Sequence, residues 1–485
     1  MGPGTRRQLQ ALRRHTAPAW WRDGKLGIFV HWTPASVPGF APRDRGLGEL
    51  LVSDEPEPLA HSPYAEWYQN SLRFRDSEVS AHHRATYGTR PYAEFARDLE
   101  AAIGQWDPSA WARQFRATGA AYVVFVAKHS DGYSLWPTDV PHPHLPRWHS
   151  TRDVVGELAD AVRAEGMRFG TYYCGGFDWS FDDTPVATMA DVPRSVPRGS
   201  YPAYAEAQVR ELIDRYRPSV LWNDVAWPGG AARLWPLLAH YYRCVPDGVV
   251  NDRWMPWSPL FALTRSATVR RAVGAAARRT ARADGGLVPP RPPHFDYRTP
   301  ENVSFPGIEV TPWECVRGMD RSFGYNANSR PEDFVPRGDL LWELTDVVAK
   351  GGNLLVNVGP RGSDGSIPVE QVERLEWLGA HLTRSGAALR ATSPWVVSGT
   401  TTAEGAPLRY TAGDGVVFAH IRTGGTGPVT ATLAEVRSTP TTNAERFDGG
   451  GVGWTDGPDG LRLDLGACGG SQEPVVVALR GIEAR

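Results

Sequence analysis

The sequence predicts an α/β protein, a (β/α)8-like barrel followed by a small C-terminal β-sandwich, and three of its features carry that prediction. From about Lys25 to Gly359, short apolar β-rich runs alternate with amphipathic helical stretches, the pattern of parallel strands joined by crossover helices. Candidate polar residues fall at the C-terminal ends of those runs, where such barrels keep their sites. Beyond Thr392 the chain turns to Val- and Thr-rich runs separated by Gly and Pro, as in GVVFAHIRTGGTG and PVVVALRG, which suits a small antiparallel sandwich. A doubly wound sheet is the structural alternative for the first part.

In chain order, GIFVHW (Gly27 to Trp32) reads as a first buried strand. WDPSAWARQFRATG opens on Asp107-Pro108, sets Trp111 and Phe115 four apart and ends at Gly119, so it reads as a helix. AYVVFVAKHSDG follows as a second strand. DVVGELADAVRAEG (Asp153 to Gly166) repeats the helix pattern with Leu158 and Val162 on one face, and MRFGTYY supplies a third strand. The next cycle pairs the helix AYAEAQVRELIDRYRP (Ala203 to Pro218) with the strand SVLWNDV (Ser219 to Val225). Residues from about Trp254 to Pro293 break this rhythm. Their basic run RRAVGAAARRTAR, followed by ADGGLVPPRPP, reads as an inserted surface loop with a solvated charged face. The last regular helix, QVERLEWLGAHLTRSG, ends near Gly386, and the domain boundary is expected at 390/391, giving a barrel of residues 1–390 and a sandwich of 391–485.

The 485 residues are 41% hydrophobic and 22% charged, a globular composition with ample material for a core. Its 52 basic and 54 acidic residues leave a formal charge of -2, so no whole-chain field favours nucleic acid or an anionic membrane. The 19 Trp and 16 Tyr are mostly core, but such rings also pack on the apolar faces of sugars. Cys174, Cys244, Cys315 and Cys468 show no C-x-x-C pair and no metal-ligand spacing, which predicts free thiols. The N-terminal stretch lacks an apolar segment of signal-peptide length, and no run of about 18 apolar residues occurs. A soluble, cytoplasmic protein is therefore expected; a homo-oligomer is left open.

Nine motifs then point one way. WWRDGKLGIFVHW, SPYAEWY, WDPSAWARQF with AYVVFVAKHSDGYSLW, RDVVGELADAVRAEGMRFGTYY, QVRELIDRYRPSVLWND, VNDRW, TPWECVRGMDRSFGYN and LTDVVAKGGNLLVNVGPRGSDGSIP occur in that order over residues 20–390. Through them the chain resembles the alpha-L-fucosidases of glycoside hydrolase family 29. The resemblance implies an exo-acting, retaining hydrolase of fucosylated oligosaccharides or glycoconjugates that needs no metal or organic cofactor.

Retention requires a carboxylate nucleophile and a second carboxyl group that serves as acid and then base, about 5 Å apart. The resemblance places the nucleophile at Asp224, which closes SVLWND, and the acid/base at Glu301 in DYRTPEN, with Glu314 in PWECVRG as its competitor. His31, Glu66, Trp67, His129, Tyr172 and Arg253 match the fucose-contacting positions, and Trp222 and Phe323 would face the C6 methyl group. Two departures stand out: Ser130 follows His129 where the family commonly has a second histidine, and Thr33 replaces the usual glycine after His-Trp. These, with an insertion long enough to cover the site, bear on linkage and on selectivity against a galactose-configured sugar. Two further rivals are a barrel that binds fucosylated glycans without cutting them and a metal-dependent hydrolase using His31, His129 and Asp131.

Overall fold

The structure, a computed structural model, describes residues 2–280, 286–424, 427–468 and 472–485. Residues 281–285 of the inserted segment and 425–426 of the run GVVFAHIRTGGTG lie outside the described residues.

Seven parallel strands form one sheet: β1 (Leu26–Val30), β2 (Tyr122–Lys128), β3 (Arg168–Cys174), β4 (Val220–Asp224), β5 (Val249–Val250), β6 (Trp313–Arg317) and β7 (Gly352–Val358). Their spatial order is β5-β4-β3-β2-β1-β7-β6. The eighth position is taken by residues 296–302, which bridge the two edges. Asp296 N–H donates to Val250 O at 2.9 Å, Arg298 N–H to Pro312 O at 2.9 Å and Asn302 N–H to Val316 O at 2.8 Å. Parallel bridges Arg298–Trp313 and Glu301–Val316 complete this link. Pro300 has no N–H to give, so the segment cannot form a regular ladder.

Crossover helices pack outside the sheet, among them Pro108–Ala117, Val154–Ala164, Tyr201–Tyr216, Ala231–Cys244, Arg337–Ala349 and Val369–Ser385. Two start where the sequence signals them: the Asp107 side chain accepts from Ser109 N–H and that of Asp153 from Gly156 N–H, both at 2.9 Å, satisfying N–H groups that a helix leaves unpaired. Strand side chains alternate between two cores. Ile28, Val30, Val123, Phe125 and Leu221 pack against the helices, whereas Phe29, Val124, Tyr172, Trp222 and Val316 fill the barrel interior.

The inserted segment is more ordered than a loop. It forms a 3-10 stretch, Pro259–Arg265, and then a helix, Ala267–Thr280, as the strong helix propensity of its Ala and Arg residues favours. After β7 and its helix come a five-stranded antiparallel sheet, in the order Val436–Arg446, Val475–Ala484, Val416–Ile421, Leu408–Gly413 and Ser393–Pro394, and a three-stranded one, in the order Pro428–Leu433, Gly460–Ala467 and Gly453–Gly457. Leu408, Tyr410, Ala431, Leu463, Val477 and Leu479 share their buried core, making a β-sandwich. All four cysteines are free thiols. Among the described residues, no helix is long and apolar enough to cross a membrane.

Candidate active site

Strand parity aims most of the site. On β4, Val220 and Trp222 face the barrel interior, so Asp224 two residues on shares their face. Phe29 on β1 and Tyr172 on β3 are likewise interior. His129 needs a further device. The pairing of β2 with β3 slips between Val126 and Lys128, and such a bulge re-aims the side chains beyond it. Lys128 thereby turns outward, 2.7 Å from Asp178 and over the Tyr173 ring, while His129 enters the cavity.

Two carboxylates meet at one guanidinium. Asp224 Oδ2 accepts from the Tyr172 hydroxyl at 2.7 Å, and its Oδ1 from Arg253 Nη1 at 2.9 Å and from Val225 N–H at 2.7 Å. Glu301 Oε1 lies 2.6 Å from Arg253 Nη2, and its Oε2 accepts from the Tyr64 hydroxyl at 3.3 Å. Arg253 is fixed in turn by Thr299, through Nε to Oγ1 at 3.1 Å and Nη2 to the backbone oxygen at 3.2 Å. Its guanidinium carbon sits 4.7 Å from the centroid of the Trp222 ring. Burial opposes this charge, but Glu301, Asp224 and Asp252 outweigh it and raise the Arg253 pKa.

Deeper groups offer hydrogen bonds without net charge. Burial, with smaller help from His129, pushes the His31 pKa down to about 3, and burial with help from Lys128 does the same for His129. Both imidazoles are therefore neutral near pH 7, one nitrogen donating and one accepting. His31 Nδ1 is 2.5 Å from Asn357 Oδ1, which fixes its ring. The rings of His129 and Tyr172 stack at 5.5 Å, and Tyr172 stacks on Trp222 at 5.2 Å. Burial raises Glu66 to about 7 against the opposing bond from Gly324 N–H, which Oε2 accepts at 2.7 Å. Near neutrality this carboxyl can thus donate as well as accept. Phe323 lies edge-on to Tyr64 at 5.1 Å, and Trp67 edge-on to Phe177 at 5.8 Å. The ten residues given a catalytic or fucose-contacting role from the sequence, Asp224 and Glu301 included, line one cavity of about 370 Å³, within the roughly 300–1,000 Å³ usual for small-molecule sites.

Residues 5–387 match the family model described as Alpha-L-fucosidase. The chain belongs to the alpha-L-fucosidase family. It is 29% identical over 456 residues to the alpha-L-fucosidase of Branchiostoma floridae, covering 89% of this chain and 84% of that one. With the tissue alpha-L-fucosidase of Rattus norvegicus it shares 27% over 424 residues, 84% of this chain and 77% of that one. Among solved structures, Thermotoga maritima alpha-fucosidase in complex with fucose aligns at TM-score 0.78 and 34% identity, covering 97% and 98% of the two chains. An alpha-L-fucosynthase from the same organism, carrying an aspartate-to-glycine substitution, aligns at TM-score 0.82 with the same identity and coverage.

Within this fucosidase-family barrel, the remaining candidates fall outside the cavity. Glu314 is fully buried on β6 and accepts from the hydroxyl of Tyr122. Tyr122 opens β2, at the opposite end of that strand from His129, and Glu314 does not line the cavity. Ser130 does not line the cavity; its hydroxyl is 3.3 Å from Cys174 Sγ. Thr33 caps the turn Pro34–Ser36, its Oγ1 accepting from Ala35 N–H at 3.3 Å. Asp131 is engaged by the Tyr92 hydroxyl at 2.9 Å and by Tyr133 N–H at 3.0 Å, so it does not join His31 and His129 as a ligand set. Among the described residues, the cluster with metal-ligand spacing is Asp214, His240 and Cys244, on two outer helices.

Sequence reasoning missed Tyr64, Thr299 and Asn357, which touch or orient the predicted residues across long separations. It also missed that Asp224 and Glu301 are each followed by a left-handed residue, Val225 at φ 66° and Asn302 at φ 51°. A β-branched residue there costs on the order of 1–3 kcal/mol, and its N–H is turned onto the Asp224 carboxylate.

Burial also pushes the Glu314 carboxyl up to about 8. A raised acid binds its proton more tightly in the folded than in the unfolded chain, so its contribution to stability falls as pH rises from about 4.5 to 8. Glu314→Gln keeps an oxygen for the Tyr122 hydroxyl and removes the titration. Its melting temperature relative to the parent is expected to rise across that window, with hydrolysis of activated substrate within about threefold of the parent. A flat melting difference would remove Glu314 as a buried neutral acid.

Proposed function

We propose that this chain, a glycoside hydrolase of the alpha-L-fucosidase family, cleaves terminal alpha-L-fucosides with net retention, with Asp224 as nucleophile and Glu301 as acid/base. One observation carries the assignment: adjacent nitrogens of the Arg253 guanidinium hold the two carboxylates at the same cavity. That keeps them close, as a retaining pair about 5 Å apart requires. In the first step an Asp224 oxygen attacks C1 of the sugar while Glu301 gives its proton to the departing glycosidic oxygen. A covalent β-linked fucosyl-enzyme results. Water then attacks C1 as Glu301 takes its proton, the bond to Asp224 breaks and alpha-L-fucose leaves.

The recognition groups suit that sugar. His31, His129 and Glu66 are neutral or near-neutral partners for ring hydroxyls, and Phe323 and Trp222 give an apolar wall for a C6 methyl group. A related Thermotoga maritima enzyme holds fucose itself. No described residue beyond Phe323 lines the cavity, so this reading assigns catalysis to residues 1–390 and leaves 391–485 as the sandwich. A panel of 4-nitrophenyl glycosides tests the substrate. The alpha-L-fucoside is expected to show at least about a hundredfold higher kcat/KM than the β-D-galactoside, because a hydroxymethyl group would meet the apolar wall. Turnover of another glycoside alone would overturn the proposal.

A further inference from the structure

The cavity has two chemically different ends, and the outer one has no described counterpart to the polar equipment of the inner one. Its walls are Met189 and Val192 from the loop after β3, Met255 after β5, Val273 on the inserted helix and the returning arm Leu287–Pro290. That arm identifies which end this is. Leu287 N–H donates to Glu301 O at 3.0 Å and Glu301 N–H to Leu287 O at 2.8 Å, so the arm is paired with the backbone of the proposed proton donor. The donor must face the glycosidic oxygen, and the leaving group therefore lies against this wall.

A second sugar would bring several hydroxyls to that surface. Its aliphatic side chains can pair with none of them, and Pro289 and Pro290 bring no N–H. Nearby Asp252 turns its Oδ1 to Thr299, accepting from the N–H at 3.0 Å and from the hydroxyl at 2.6 Å, and its Oδ2, which has no hydrogen-bond partner among the described residues, is buried away from the open cavity. Hydroxyls stripped of water without partners cost binding free energy, whereas apolar groups gain it there.

We propose that the leaving group this site selects is an apolar alcohol, alkyl, aryl or polycyclic, and that the inserted segment builds its subsite. This rests on the fucosidase reading above and specifies its substrate class. The test is a series of alkyl alpha-L-fucosides from methyl to hexyl, in which the basicity of the departing oxygen hardly changes. Each methylene that reaches the wall should raise kcat/KM by about fourfold, equivalent to about 0.8 kcal/mol, so hexyl should exceed methyl by at least about tenfold. Val273→Asn and Val192→Asn, at half-buried positions on the inserted helix and on the turn after β3, should each flatten that slope, with melting curves checking that they fold. A flat series with active 4-nitrophenyl fucoside hydrolysis overturns this inference alone, as does a fucosyl-galactose disaccharide that outpaces the hexyl fucoside. Slopes unchanged in both variants would remove the insertion from the subsite. Failure to cleave any fucoside overturns the proposed function, and this inference with it.

Discussion

Asp224→Gly is expected to lower kcat for 4-nitrophenyl alpha-L-fucoside by at least about 10⁴-fold while leaving a cooperative melting transition. The covalent step then has no attacking oxygen. Folding should survive because Asp224 lies at the cavity rather than in the packed core, with a side chain 20% exposed, and because Arg253 keeps Glu301 and Thr299 as partners. Water can reach the Tyr172 hydroxyl that loses its acceptor. The vacated space admits a small anion, so azide should restore part of the rate. It would attack from the face that the carboxylate occupied, giving the β-fucosyl azide, inverted relative to substrate. Product configuration by NMR reads this directly. Near-native turnover without azide would remove Asp224 from the role.

How legible this was in the sequence varied with the physics involved. Buried parallel strands are continuous apolar runs, and capped helices carry Asp at one end and Gly at the other, so β2, β3, β4 and the helices between them could be read almost to their ends. Asp224 was readable through the resemblance of SVLWND to the family's nucleophile strand; a strand-end aspartate alone fits a capping role as well, and period-two alternation adds only that it shares the face of Trp222. His129 sits in a recognisable motif, but its inward aim depends on a slipped pairing with β3 that no local pattern encodes. The eighth barrel position was not legible as a strand, since residues 296–302 are interrupted by Pro300 and are defined by hydrogen bonds to two distant edges. Tyr64 and Thr299 act on groups far along the chain, and single positions of that kind have no periodic signal. The inserted helix was read as a loop because its Ala-Arg run lacks a regular apolar stripe, although its propensity was sufficient. What the insertion does, returning Leu287 to pair with Glu301, could be seen only in three dimensions.

Glu301→Ala is expected to separate substrates by leaving group. A general acid contributes about 10²–10⁴-fold when the departing oxygen is basic, and far less when it is an acidic phenol that can leave unprotonated. Alkyl fucosides should therefore lose about 10³-fold in kcat/KM, and 4-nitrophenyl fucoside only about tenfold. The second step loses its base in the same variant, so fucosyl-enzyme should accumulate on the activated substrate and appear as a burst of nitrophenol and as a mass shift on Asp224. Azide needs no deprotonation to attack and should speed breakdown, giving a fucosyl azide of retained configuration, the opposite of the Asp224→Gly product. Glu314 is the control. It is fully buried against Tyr122, so Glu314→Ala should lower stability and affect all leaving groups alike, without azide rescue. If the leaving-group dependence and the retained azide product appeared in Glu314→Ala and not in Glu301→Ala, the acid/base would be Glu314, and the pairing of Glu301 with Arg253 would be an ion pair that only positions Asp224.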